Sequence, residues 1–174
     1  MTSGLTLITG GARSGKSAYA QQLATASGQP VLFVATAEAR DDDMRRRIEA
    51  HRASRPASWE TLERPLGAAE ALASVAGRLV VLDCITLLVS NLLLAGFAVE
   101  PEVQALIAWQ RHSRSPLIAV TNEVGLGIVP DNALAREYRD ALGGANQALA
   151  AAADRVVLMV AGLPVEIKRP EYAG

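Results

Sequence analysis

Short apolar runs recur along the chain at Leu5–Thr9, Val31–Ala35, Leu79–Asp83, Leu117–Thr121 and Arg155–Val160. They are continuous and rich in Val, Leu and Ile, the pattern of strands buried on both faces. Between them the spacing predicts helices over Lys16–Ser27, Asp42–Arg55, Leu66–Val75, Thr86–Ala95, Glu102–Arg111 and Asn132–Ala153, with a last extended piece over Pro164–Lys168. Gly28 and Gly77 stand where a helix end wants a left-handed residue, and Asp41, Asp42 and Asp43 offer N-caps. Leu134, Tyr138, Leu142, Ala145 and Leu149 form one helical stripe. Gly143-Gly144 interrupts it at roughly 1 kcal/mol per glycine, which predicts a kink or a close helix contact. Alternating strands and helices predict an α/β fold with a mainly parallel sheet and helices on both faces. The chain of 174 residues suits one domain spanning 1–174.

In such sheets ligands bind at the carboxyl ends of the strands. The first strand runs into Gly10-Gly11-Ala12-Arg13-Ser14-Gly15-Lys16-Ser17, of the form G-x-x-x-x-G-K-[ST], and a helix follows. Strand, loop and helix in that order make the pattern a phosphate-binding loop and the fold P-loop NTPase-like (RecA-like). The glycines let backbone N–H groups face phosphate oxygens, and the helix start adds its own unpaired N–H groups. Lys16 would reach the β- and γ-phosphates and the Ser17 hydroxyl would ligate Mg²⁺. Asp83 closes Leu79-Val80-Val81-Leu82-Asp83, the form of a second nucleotide motif whose acid holds the same Mg²⁺. Its plain alternative is an acid that marks a strand end and caps the next helix.

Half of the residues are hydrophobic and 20% are charged, with a net charge of −1. No polybasic field argues for nucleic acid, although Arg45-Arg46-Arg47, Arg52 and Arg55 cluster. Cys84 is the only cysteine, which excludes an intrachain disulfide and suits a reducing compartment. The start of the sequence lacks a secretory pattern. The uncharged stretch Cys84–Val99 contains Ser90, Asn91 and Gly96, short of the ~18 apolar residues of a spanning helix. A cytoplasmic protein without membrane insertion is the expectation.

His51 shares a helical face with Met44 and Ile48, a face expected to turn inward or into a cleft. Arg47 and Arg55 lie four residues to either side, within reach of phosphates. Imidazole is a competent nucleophile toward phosphorus, yet histidines in charged helices are more often solvated. The residues alone leave both readings open. Thr121-Asn122-Glu123-Val124-Gly125-Leu126-Gly127-Ile128-Val129-Pro130 follows a strand, where loops bind ligands disproportionately often. His112 reads as solvated. The sequence shows no metal-binding Cys/His cluster, nucleophile elbow or aromatic-basic stripe.

Taken together, the phosphate loop, Ala35-Thr36-Ala37-Glu38-Ala39, His51 with Arg55-Pro56, Asp83-Cys84-Ile85-Thr86-Leu87, Ser90-Asn91-Leu92-Leu93, Thr121-Asn122-Glu123-Val124-Gly125, Ile128-Val129-Pro130, Asn146-Gln147 and Ala161-Gly162-Leu163-Pro164 resemble a known family nearly end to end. It is the bifunctional adenosylcobinamide kinase / adenosylcobinamide-phosphate guanylyltransferase family of cobalamin biosynthesis. The resemblance implies two reactions. ATP or GTP phosphorylates the aminopropanol hydroxyl of adenosylcobinamide. GMP then moves from GTP onto adenosylcobinamide phosphate, giving adenosylcobinamide-GDP and pyrophosphate. It implies His51 as the covalent carrier of GMP and Lys16 as the second catalytic residue. Nucleotide contacts carry over to Gly10, Gly11, Ala12, Arg13, Ser14, Gly15, Lys16, Ser17, Thr36, Ala37, Glu38, Arg52, Ala53, Ser54, Arg55, Glu63 and Asp83, with Mg²⁺ on Ser17 and Asp83. A homotrimer is implied too, for which Leu87–Leu94 offers an apolar surface. Leu88 and Val89 depart from the family pattern, as a packing difference. The competing readings are a simple small-molecule P-loop kinase, which needs no nucleophilic histidine, and a nucleotide-dependent switch.

Overall fold

The computed structural model describes residues 4–169. Seven strands form one sheet: β1 (Leu5–Gly10), β2 (Val31–Ala35), β3 (Glu60–Glu63), β4 (Leu79–Asp83), β5 (Leu117–Val120), β6 (Arg155–Val160) and β7 (Leu163–Lys168), in the order β3-β2-β4-β5-β1-β6-β7. Every neighbouring pair is parallel except the β6–β7 hairpin. Six helices complete the described chain: α1 (Lys16–Ala26), α2 (Asp42–Ala53), α3 (Ala68–Leu72), α4 (Ile85–Leu94), α5 (Val99–Ser113) and α6 (Ala133–Ala152).

The apolar runs divide their side chains between two cores, because successive strand residues point to opposite faces. Leu5, Leu7, Leu32, Val34, Val80, Leu82, Leu117 and Ala119 pack under α3, α4, α5 and α6. Ile8, Val31, Phe33, Leu79, Val81, Ile118, Val120 and Val157 pack with Ala20 and Ala24 of α1. The middle strands are therefore apolar on both faces. α2 buries no residue and stands at the rim. Its start is held by Asp41, whose side chain accepts from the Met44 N–H at 2.7 Å, as an N-cap aspartate should.

Several boundaries differ from the sequence expectation. α5 begins at Val99 instead of Glu102, because Pro101 falls in the first turn, where a missing N–H costs nothing. α3 is confined to Ala68–Leu72 after Gly67, whose φ of 65° starts the helix. β3 was not expected. Glu60, Thr61 and Glu63 make it too polar for an apolar-run criterion, and it lies at the sheet edge. The Gly143-Gly144 pair neither breaks α6 nor marks a close contact: a Cβ added at either meets nothing within 4 Å. Leu87–Leu94 is no free apolar surface. Leu88, Val89 and Leu92 are buried in the chain's own core, and Leu94 alone of that stretch is a large exposed hydrophobe. Leu88 and Val89 are thus core positions.

The end of β1 permits no side chain. At Gly10, φ is +144° and an added Cβ would lie 2.5 Å from the Met159 carbonyl oxygen. Gly10→Ala should lower stability by more than the roughly 1–3 kcal/mol of backbone strain alone, measured by urea unfolding. A variant as stable as the native chain would show that β6 yields freely here.

Candidate nucleotide site

The sheet register brings the site together. Ala35 lies opposite Glu63 on one side and Asp83 on the other. Asp83 lies opposite Val120, and Val120 opposite Ile8. The carboxyl ends of β3, β2, β4 and β5 therefore stop at one level, and β1 runs past it to Gly10. The phosphate loop rises from this edge beside Asp83.

Within the loop, Gly10, Arg13 and Gly15 have φ of 144°, 56° and 94°, and Gly11, Ala12 and Arg13 are exposed. The loop is braced by its neighbours: the Glu123 N–H donates to the Gly10 carbonyl at 3.1 Å, and the Gly162 N–H donates to the Ser14 carbonyl at 3.1 Å. α1 starts directly after Gly15, so its first N–H groups face the same concavity. Lys16 is only 8% exposed. Its ammonium donates to the Gly11 carbonyl and, at 3.4 Å, to the Ser14 hydroxyl.

Lys16 and Asp83 are each held against their preference for water. Burial lowers the Lys16 pKa, opposed by Cys84 and Asp83. Burial raises that of Asp83, opposed by a hydrogen bond with Ser17 and by the nearby Lys16 and Arg55. Ser17, Lys16 and Asp83 thus form one cluster, and the field of Arg55 reaches into it. The Cys84 thiol beside it is pushed up to about 12 by burial and by Asp83. It stays protonated and is no rival nucleophile.

His51 lies in the last turn of α2 and is exposed, with Met44 and Ile48 half-buried behind it. Of the two expectations for this face, inward or into a cleft, the inward one is excluded for His51, because α2 covers no core at that turn. The turn itself is anchored through the His51 carbonyl, which accepts from the Ser54 hydroxyl at 2.9 Å and from Arg55 Nε at 3.0 Å. The Arg55 guanidinium lies over the Phe33 ring, 4.1 Å from its centroid, and donates to Thr61. Arg52 pairs with Glu63 at the end of β3. Gln21 of α1 donates to the Ser54 hydroxyl at 3.4 Å. These bonds tie α2 to β2, β3 and α1 on the β2 side of the loop. Ala53 is exposed on the same turn.

The remaining predicted residues divide. Glu38 and the half-buried Ala37 lie just past β2, with Glu38 ion-paired to Arg40 at 2.7 Å. Thr36 is fully buried, and its hydroxyl donates to the Cys84 carbonyl at 2.7 Å while accepting from the Cys84 N–H at 2.8 Å. That hydroxyl fastens β2 to the residue after Asp83. His112 is exposed, as expected.

Sequence reasoning missed the supports beneath the site. Buried Asn91 donates from Nδ2 to the carbonyls of Thr36 and Pro65 at 2.9 and 3.1 Å. Thr86 accepts from the Asn122 N–H at 2.7 Å. Thr121 donates to Asn146 Oδ1 at 2.7 Å, and Asn146 Nδ2 donates to the Asn122 carbonyl at 3.0 Å. A lone Asn in the apolar run of α4 is the available signal, since a buried amide must find partners.

The likeness to solved structures is confined to the fold. A Pyrococcus horikoshii protein of a structural study aligns at TM-score 0.59 and 9% identity over 97% of this chain and 88% of that one. A KaiC-like protein of the same archaeon aligns at 0.51 and 15%, over 89% and 70%. Sequence relatives are nearer. The bifunctional adenosylcobalamin biosynthesis protein CobP of Pseudomonas aeruginosa is 48% identical over 166 residues, 93% of this chain and 96% of the relative. The bifunctional adenosylcobalamin biosynthesis protein CobU of Salmonella typhimurium is 44% identical over 179 residues, covering 93% and 98%. The family model described as cobinamide kinase / cobinamide phosphate guanyltransferase matches residues 6–167. A phosphate loop, an acid-ended β4 and a histidine turn gathered at one sheet edge, together with these matches over most of the chain, show that it belongs to the cobinamide kinase / cobinamide phosphate guanyltransferase family.

Proposed function

We propose that this chain phosphorylates the aminopropanol hydroxyl of adenosylcobinamide with ATP or GTP, and then transfers GMP from GTP to the product through a covalent bond to His51. The observation that carries the reading is the packing of the His51 turn against the elements around the phosphate loop, through Gln21 of α1 on Ser54, Arg55 over Phe33 of β2 and Arg52 on Glu63 of β3. Both chemistries then use one triphosphate site in turn, a fresh GTP replacing the spent diphosphate before the second reaction.

In the first reaction the acceptor hydroxyl attacks the γ-phosphorus, and the nucleoside diphosphate leaves. Lys16 and the N–H groups of the loop neutralise the charge that develops on the phosphate oxygens. In the second, an imidazole nitrogen of His51 attacks the α-phosphorus and pyrophosphate leaves. A phosphate oxygen of the acceptor then attacks the same phosphorus, freeing His51 and completing adenosylcobinamide-GDP. The covalent step splits one transfer into two. An exposed ring on the last turn of a rim helix is free to approach the α-phosphate.

Ser17 and Asp83 fit a Mg²⁺ site, since the hydroxyl lies against the carboxyl, and Mg²⁺ usually takes one or two protein ligands plus phosphates and water. Among the described residues no group of three or more His, Cys, Asp or Glu is gathered for a metal, which suits an ion that arrives with the nucleotide. Held by Ser17 and Asp83, the ion would supply positive charge to offset the negative charge that develops on the phosphates. Gly10 to Ser17, Ala37, Glu38, Arg52, Ala53, Ser54, Arg55 and Glu63 would line the nucleotide. Thr36 would hold the ends of β2 and β4 in place from beneath, its hydroxyl, N–H and carbonyl all being engaged within the chain.

A homotrimer is part of the same reading. Its support is an exposed apolar row at the sheet edge, Val160, Leu163, Val165 and Ile167, of the kind that self-association covers. Sedimentation of the native chain should give about three times the mass of the 18.3 kDa chain, and Val165→Lys should lower it. A monomeric native chain would contradict the assembly.

Two substitutions separate the reactions. His51→Ala should abolish guanylyl transfer and retain phosphorylation of cobinamide, whereas Lys16→Ala should reduce both at least a hundredfold, each assayed by product chromatography. Equal loss of both reactions in folded His51→Ala would defeat the assignment of the histidine.

Asp83 has a cost in stability as well. Burial raises its folded-state pKa, so the folded chain holds that proton more readily than the unfolded chain. Stability therefore falls as pH rises from the ordinary carboxylate range through the folded-state value. Without nucleotide at neutral pH, Asp83→Asn should melt at a higher temperature than the native chain, with both activities lost. The gain should vanish below the ordinary carboxylate range. A lower melting temperature at neutral pH would reverse the sign.

A further inference from the structure

We propose that the loop Asn122–Asp131 is the platform for the corrinoid acceptor, its apolar tip carrying the macrocycle while the acceptor arm reaches the phosphates. The inference rests on the cobinamide reading above and adds the part of the site that the nucleotide does not explain.

The tip is unusual for a surface. Leu126 is 88% exposed, Ile128 99% and Val129 61%, with Val124 also exposed, and Leu134 of α6 follows just beyond the loop. A single exposed Leu is ordinary, whereas a run of them beside a ligand site marks a binding surface. A side chain added at Gly127 would meet nothing within 4 Å.

Both ends of the loop are fixed. At its start, the Asn122 N–H donates to Thr86 at 2.7 Å, the Asn122 carbonyl accepts from Asn146 at 3.0 Å, and the Glu123 N–H donates to the Gly10 carbonyl at 3.1 Å. At its end, Arg136 donates to the carbonyls of Pro130 and Asp131 at 3.0 and 2.7 Å. The polar ends are bonded into the fold, and the apolar tip projects from it.

Sheet order decides what the tip can meet. β5 lies between β4 and β1, so the loop that leaves it stands between Asp83 and the phosphate loop. The α2 turn with His51 approaches from the β2 and β3 side, through Thr61, Glu63 and Phe33. The nucleotide is therefore walled by polar groups on one side and by this apolar loop on the other. Of the two substrates only the corrinoid has a broad apolar face, and its hydroxyl must come to the γ-phosphorus. The loop is the apolar surface tied by a hydrogen bond to the first glycine of the phosphate loop.

The test is Leu126→Ser/Ile128→Ser, two exposed positions whose change removes no core contact. The KM for cobinamide should rise at least tenfold, while the dissociation constant for GTP stays within twofold of native. Leu126→Met/Ile128→Val should restore the cobinamide KM. A cobinamide KM within twofold of native in the serine variant would overturn the proposal. So would a fall in oligomeric mass with equal weakening for both substrates, which would make the loop an interface between copies. A native chain that fails to phosphorylate cobinamide would overturn the cobinamide reading, and the platform with it.

Discussion

Lys16 and Asp83 are opposite charges that the fold brings together, Lys16 buried and Asp83 half-buried. Each is disfavoured by its own burial and favoured by the other's charge. The rest of the site follows from placing them. Asp83 must end a strand apolar on both faces, which sets β4 in the middle of the sheet. Lys16 must open a helix directly after a glycine-rich turn, which sets the backbone angles at Gly10 and Gly15. Helix N–H groups, ammonium and carboxyl then surround a single concavity, which suits a triphosphate with its metal.

Such a cradle holds a nucleotide and does not choose which phosphorus reacts. The choice comes from what stands beside it. In the proposed reading α2 supplies the imidazole on the β2 side, its turn tied down by Arg55 and Arg52 through neighbouring strands. The β5 loop supplies an apolar surface on the β1 side. Thr36, Asn91, Thr86, Thr121 and Asn146 hold these two walls by buried hydrogen bonds. Their loss would leave buried donors and acceptors unpaired at about 1–3 kcal/mol each, so these side chains are fixed by geometry although they need not touch a substrate.

Much of this was legible before any coordinates. The strands stand out because residues buried on both faces leave continuous apolar runs, and the phosphate loop because few residues other than glycine tolerate its backbone. What was hidden is what burial pattern alone decides. β3 is an edge strand with exposed Glu60, Thr61 and Glu63, so no apolar run marks it. Helical spacing put His51 with Met44 and Ile48, yet spacing does not say whether a core lies beneath that face. Leu87–Leu94 looked like a surface for a partner because an apolar helix reads the same whether its neighbour is another copy or its own sheet. A polar residue just past a strand end reads as a ligand contact, whereas Thr36 is fully buried with its hydroxyl spent on the Cys84 backbone.

The central claim is that one cradle serves both reactions, and inhibition by a single unreactive nucleotide tests it most directly. An ATP analogue with a methylene bridge between the β- and γ-phosphorus should compete with the nucleotide in cobinamide phosphorylation. It should also compete in the labelling of the protein by GTP carrying label at its α-phosphorus. The two inhibition constants should agree within experimental error. An analogue that blocks phosphorylation while leaving labelling untouched at saturation would place the reactions in separate sites and contradict the account.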